Sequence, residues 1–230
     1  LINEPVLPDG VSTEEFRQLY IDITSAVREV DNNHIVYIEG NWYGTDFSGL
    51  TPPWDENMSY SFHKYWGETS LSTIQSYISM SNLYDIPLWM GESGENSNSW
   101  YYEVFKLLEE NNIGWNFWTH KKVEKISSPF SALVTPQYQT LLNYWNGSGS
   151  QPSATYSYAA LLSFANSLKI ENCIELPGVI ASLTDPEYGE ISKPFAEHSI
   201  PGTIPAVEYD IGAWGISYTD SDYYNNGDGS

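Results

Sequence analysis

The stretch that decides the fold is Ile86-Pro87-Leu88-Trp89-Met90-Gly91-Glu92-Ser93-Gly94, "IPLWMGESG". Its apolar core reads as a short buried strand, and it ends in Gly91-Glu92, which sets a carboxyl group where the strand meets solvent. Just before it, "SLSTIQSYISMSNLY" (70–84) places Leu71, Ile74, Tyr77, Ile78 and Met80 on one helical stripe. Just after it, "SWYYEVFKLLEEN" (99–111) is helical again and leads into "IGWNFWTH" (113–120), a further strand. Helix, strand, helix, strand is the pattern of parallel βα units.

The alternation extends in both directions. "VSTEEFRQLYIDITSAVREV" (11–30) opens with Ser12 and Glu15 at capping-box spacing and continues with Phe16, Leu19, Tyr20, Ile23, Val27 and Val30 at helical intervals. "HIVYIEG" (34–40) and "MSYSFHKYW" (58–66) read as strands. Residues 41–57 between them are aromatic and proline-containing without helical periodicity, so a crossover helix there is expected to be short or missing. "PQYQTLLNYWNG" (136–147) is a helix, and at the other end Leu1 and Ile2 read as the end of a buried strand that runs into Asn3-Glu4-Pro5.

Composition bounds the function. The 230 residues are 41% hydrophobic and 15% aromatic, enough for one large core or one domain with an extension. Nine Lys and Arg against 30 Asp and Glu give a formal charge of −21 and a pI near 4.2, which disfavours nucleic acid and anionic membrane as partners. No apolar run reaches the roughly 18 residues of a membrane-spanning helix, and the sequence shows no signal-peptide pattern. The lone cysteine, Cys173, is expected to be a buried packing residue. His34, His63, His120 and His198 show no close ligand spacing, and no metal or other cofactor is expected.

The residues capable of chemistry gather at one kind of place. Asn3 and Glu4, Glu39 and Asn41, His63 and Tyr65, Glu92, and Trp118 and His120 each follow an apolar strand core. In a parallel barrel such strand ends share one face, where active sites are built.

Taken in order, "NEP", "HKYW", "LWMGESG" and "WNFWTHKK" resemble the second half of glycoside hydrolase family 5, a group of (β/α)8 retaining glycosidases; the resemblance covers roughly residues 1–145. It implies a partial barrel of about strands four to eight, with Glu4 as acid/base after strand four and Glu92 as nucleophile after strand seven. It further implies Asn3 as a contact to the sugar 2-hydroxyl, His63 and Tyr65 on strand six as groups supporting the site and its substrate, and Trp118 as the platform under the cleaved sugar. The first three βα units then belong upstream, and this chain alone is expected to be inactive and poorly stable, because an open sheet edge cannot close a barrel. The family also implies a secreted or cell-surface location.

Retaining cleavage needs two carboxyl groups about 5–5.5 Å apart, and a Tyr65 hydrogen bond to Glu92 fits that arrangement. Trp42, Tyr43, Trp54, Trp66 and Trp118 lie in or beside strand-end loops, where indole faces stack on pyranose rings; Trp89 and Trp115 are expected in the core. The expected activity is endo-acting hydrolysis of a β-1,4-linked polysaccharide, glucan first, then mannan or mixed-linkage glucan. The alternative is a carbohydrate-binding or scaffold protein derived from the barrel, without catalysis. Oligomeric state is left open.

Beyond the barrel-like part, "NGSGSQPS" (146–153) reads as a flexible joint, and 155–173 is helical, so residues 146–198 form a linker and helical extension. Residues 199–230, rich in Gly, Tyr and Asp, resemble the first strands of a family 6-type carbohydrate-binding β-sandwich through "IPAVEYD" (204–210). Glu208 and Asp220 are candidate calcium ligands there, against the plainer reading of a solvated acidic surface.

Overall fold

The alternation read from the sequence is present, and it builds a four-stranded sheet in which every neighbouring pair is parallel. The computed structural model describes residues 1–221 and 224, and the chain divides into two units: Leu1–Gly94 with Glu103–Phe117, and Glu95–Tyr102 with Trp118–Ser230.

In the first unit, Ser12 and Glu15 close a reciprocal capping box on α1 (Thr13–Arg28), which buries Phe16, Tyr20 and Thr24. Leu19 and Val30, read as part of the same stripe, are exposed. At its C-terminal end Arg28 makes a two-pronged ion pair with Asp55 (2.8 and 2.9 Å) and donates to the carbonyls of His34 and Asn57. That pins α1 to the entry ends of β1 (Val36–Glu39) and β2 (Met58–His63).

Between these strands lies only the four-residue turn α2 (Asn41–Gly44), where Trp42 and Tyr43 are left-handed, so the crossover helix is indeed nearly absent. A 3-10 turn and α3 (Gln75–Tyr84) then lead to β3 (Leu88–Glu92), and α4 (Asn98–Glu110) leads to β4 (Gly114–Trp115). All six residues of β2 are buried, as expected for a parallel strand covered on both faces. Tyr60 and Phe62 pack against Phe47 and Tyr77, the Phe62–Tyr77 rings stacking at 4.4 Å. The fully buried Phe62 side chain contributes about 1.5–3 kcal/mol.

Two strand expectations are corrected. Leu1 and Ile2 form no strand: the Leu1 amino group donates to Tyr37 O at 2.7 Å, but the chain then turns through a left-handed Glu4, and Leu1 is exposed. The expected arc of five strands is therefore four among the described residues. "IGWNFWTH" has its strand at Gly114–Trp115, with a further bond from Asn116 N to Met90 O and a single bridge position at Trp118. Trp89 and Trp115 are half-buried rather than core; Trp89 meets Tyr37 edge-on and Trp115 lies against Phe105.

The second unit holds a separate three-stranded sheet. β5 (Lys121–Val123) runs parallel to β6 (Phe130–Ala132), which pairs antiparallel with β7 (Ile174–Glu175). α5 (Pro136–Trp145) and α6 (Ala154–Ser167) are each capped at the N-terminus by a hydroxyl, from Thr135 and Ser153, and stack through Tyr138 and Phe164 at 4.0 Å. Residues 146–153 are thus the loop of an αα-hairpin.

α7 (Pro177–Thr184) follows β7. Cys173, expected to be buried, is half-exposed, its thiol near the carbonyls of Lys169 and Ser167. Among the described residues from 199 onward there is no strand, only single bridges pairing Lys193 with Ile211 and Trp214 with Tyr218. Glu208 faces His198 at 3.3 Å, and Asp220 accepts from Ser221 N. Residues 222, 223 and 225–230 of the sandwich reading lie outside the described residues.

Candidate active site

Three strands end at one cluster of titratable groups. β2 and β3 pair in register as far as Phe62 with Met90, and then His63 pairs with Glu92, so Gly91 is an extra residue in β3. A bulge of this kind re-aims the side chain that follows it. It carries Glu92 to within 3.7 Å of His63 Nδ1. The position favours glycine: a Cβ on Gly91 would lie 2.4 Å from Ser61 Oγ and 3.1 Å from His63 Nε2, so these side chains would have to shift. Gly44 leaves room on the other side, where a Cβ would lie 3.2 Å from His63 Cγ.

Glu4 reaches the cluster from the N-terminal turn. Its backbone is left-handed at φ 44°, a conformation costing a non-glycine residue about 1–2 kcal/mol. Its amide donates to Glu39 Oε2 at 2.7 Å, which fixes the turn, while its carboxyl Oε1 lies 2.9 Å from His63 Nδ1. Pro5 O accepts weakly from Tyr43 N, and Asn41 Oδ1 accepts from Leu7 N at 3.0 Å, so the turn is also tied to the loop after β1.

His63 is therefore ringed by carboxylates on every side that carries charge. Its Nδ1 faces Glu4 and Glu92, and its Nε2 faces Glu39 Oε1 at 3.5 Å, a charge contact without the geometry of a hydrogen bond. Burial opposes a charge on the imidazole, but the contacts with Glu39 and Glu4 and the charges of Glu39 and Glu92 outweigh it and raise the His63 pKa. The converse holds for Glu39: burial favours its neutral form, yet His63 and the Glu4 amide hold its pKa below the ordinary value.

Among the described residues, Glu4, His63 and Glu92 are the one set of three ligating side chains that converge, each with a donor atom within 4.8 Å of the others'. Two ligands held at about 2.1 Å in a tetrahedral site stand about 3.4 Å apart. The 2.9 Å between His63 and Glu4 is instead a hydrogen-bond separation.

The Tyr65 hydroxyl donates to Glu92 Oε2 at 2.7 Å, the bond expected from the sequence. Asn3 is exposed beside Glu4. Trp42, Tyr43 and Trp66 are exposed on loops that follow β1 and β2, and Trp118 is exposed in the second unit.

Trp54 is not brought to the carboxylates. It precedes β2, at the strands' entry ends, where its ring stacks on Tyr20 at 6.2 Å under the Arg17 guanidinium and its indole N–H donates to Thr24. The reason is connectivity: the loop containing Pro52 and Pro53 returns the chain to the start of a strand, away from the ends that carry the site. The sequence places Glu39 at a strand end but assigns it no role. A signal is present in the parallel between "YIEG" and "MGE", two strands ending on a glutamate.

A parallel α/β sheet with three glutamates gathered around one histidine at the C-terminal ends of its strands has the arrangement in which barrel-class proteins build their sites. The model of the family Cellulase (glycosyl hydrolase family 5) matches residues 1–123, more than half of the chain, and the chain belongs to that family. No curated protein matches it.

Solved structures similar to it include cellulose synthase subunit Z from Clostridioides difficile (14% identity, TM-score 0.47, 56% of this chain and 54% of that one). Another is Thermotoga maritima Cel5A in complex with cellobiose (18%, 0.43, 50% and 49%). A third is an endo-β-1,4-glucanase from Xanthomonas axonopodis pv. citri (16%, 0.46, 69% and 57%). The chain spans about half the length of these structures.

Proposed function

We propose that this chain carries the catalytic pair of a retaining, endo-acting β-glycosidase, with Glu92 as nucleophile and Glu4 as acid/base. One observation carries the reading: a carboxylate oxygen of Glu4 and one of Glu92 stand within 4.8 Å of each other, close to the spacing of about 5–5.5 Å used by retaining enzymes and short of the gap an inverting enzyme needs for water. In this reading Glu92 attacks the anomeric carbon as the C–O bond to the leaving sugar breaks, and Glu4 gives its proton to the departing oxygen. Water then attacks the glycosyl ester, Glu4 takes its proton, and both carboxyl groups return to their starting states.

β-1,4-glucan is the preferred substrate, with mannan or mixed-linkage glucan next. Support comes from the exposed rings of Trp42, Tyr43 and Trp66 on the loops bordering the Glu4 turn and β2, which suit the apolar faces of a neutral sugar chain. A polymeric substrate of this kind supports a proposed location outside the cell or at its surface.

Azide separates the two roles. In a preparation active on soluble β-glucan, Glu4→Ala should still form the glycosyl-enzyme from an activated aryl β-glycoside and, with azide, release a β-glycosyl azide. Glu92→Ala should give the α-glycosyl azide. Product anomers read by NMR decide the assignment: swapped anomers reverse the roles, and near-normal hydrolysis in both variants removes Glu4 and Glu92 from catalysis.

A further inference from the structure

We propose that Glu39 is a positioning residue for Glu4, holding the acid/base carboxyl in place from two sides at once. The proposal rests on the reading of Glu4 as acid/base. One oxygen of Glu39 accepts the Glu4 amide at 2.7 Å, and the other stands 3.5 Å from the Nε2 of the imidazole whose Nδ1 meets the Glu4 carboxyl at 2.9 Å. Backbone and side chain of Glu4 are therefore both referred to a single group.

The group is well placed to serve as an anchor. Glu39 is the last residue of β1, paired in register with Ser61 of the wholly buried β2, and its carbonyl accepts the Tyr20 hydroxyl at 2.9 Å. Its side chain is 14% exposed, against 32% for Glu4, so the less exposed of the two carboxylates is the one that holds the other. Without it, the Glu4 amide loses its acceptor in a left-handed turn and the imidazole loses one of the three carboxylates around it. The groups with charge that face His63 are Glu4 from the N-terminal turn, Glu39 from β1 and Glu92 from β3. Ser61, Gly44 and Gly91 form its uncharged surroundings.

A residue that positions the acid is needed most when the leaving group most needs a proton. Misplacing a reacting group by about 1 Å costs on the order of 100-fold. In a preparation active on soluble β-glucan, Glu39→Ala should therefore lower kcat/KM on phenyl β-cellobioside about 100-fold, but on the 2,4-dinitrophenyl analogue, whose leaving group departs unprotonated, about threefold or less. Glu39→Gln keeps an acceptor for the Glu4 amide and loses the charge, and should fall between wild type and Glu39→Ala. The titration of His63, followed by NMR of ring-labelled histidine, should move to lower pH in both variants.

Equal losses on the two substrates would overturn the proposal, because they would mean general damage or harm to the nucleophile. So would an unmoved His63 titration in folded Glu39→Gln. Glu4→Ala on the same two substrates is the control: if it shows no leaving-group dependence, the acid/base reading has failed. Glu39 is then judged by the His63 titration and by the Glu4 amide shift alone.

Discussion

The Tyr65 hydroxyl donates to Glu92 Oε2 across 2.7 Å, while Glu92 Oε1 accepts no hydrogen bond among the described residues. One oxygen is held, and under the proposed reading the other is the one that attacks. A hydrogen bond to a charged partner is worth about 1.5–3 kcal/mol, so Tyr65→Phe should lower kcat about 10- to 100-fold through loss of that orientation. Steady-state kinetics beside a melting curve check it: the rate should fall with the melting temperature nearly unchanged.

Gly91 should prove irreplaceable for a steric reason that can be partly relieved. A Cβ there meets Ser61 Oγ at 2.4 Å, an overlap that displaces the hydroxyl or the bulge and should cost about 1–3 kcal/mol. Gly91→Ala is expected to lower the melting temperature and the activity together. Removing the opposing hydroxyl as well, in Ser61→Ala with Gly91→Ala, should recover part of the stability; no recovery would point to backbone conformation instead of the clash.

Stability should depend on pH through His63 and Glu39 with opposite signs. The folded protein binds the His63 proton more tightly than the ordinary value of 6.5 allows, so this contribution is whole below 6.5 and fades as pH rises through the raised value. Glu39 is depressed from 4.5, so its contribution is present above 4.5 and fades as pH falls. The two overlap between 4.5 and 6.5. Melting temperatures measured across about pH 4 to 9 should show His63→Asn flattening the alkaline fall and Glu39→Gln flattening the acid one.

Trp54 and Trp42 should separate stability from binding. Trp54 is half-buried on α1 with its N–H bonded, so Trp54→Ala should cost about 1–3 kcal/mol of stability and leave KM for long glucans unchanged. Trp42 is 61% exposed on the loop tied to Pro5, so Trp42→Ala should raise KM several-fold with little change in melting temperature. The reverse pattern would return Trp54 to the sugar-binding surface.

Helices and strands with strong local signals are legible in the amino-acid sequence. The Ser12–Glu15 box, the apolar core of β2 and the missing helix after β1 all depend on neighbours within a few residues. Legibility fails where the outcome depends on distant partners. "IGWNFWTH" has strand composition throughout, yet only Gly114–Trp115 finds β3 beside it. Trp54 looks like any loop tryptophan until the direction of its loop is known, and that direction puts it on Tyr20.

By itself, then, the sequence determined the α/β alternation and the strand-end glutamates, because hydrophobic periodicity and turn chemistry act over short stretches of chain. Tertiary structure alone decided that Glu4, Glu39, His63 and Glu92 converge, though 88 positions separate the outermost pair. The bulge at Gly91, the left-handed turn at Glu4 and the space kept by Gly44 are set by parallel strand register and close packing. Charge at a common point acts through space, so the ring of carboxylates around one buried imidazole exists only once those strands lie side by side.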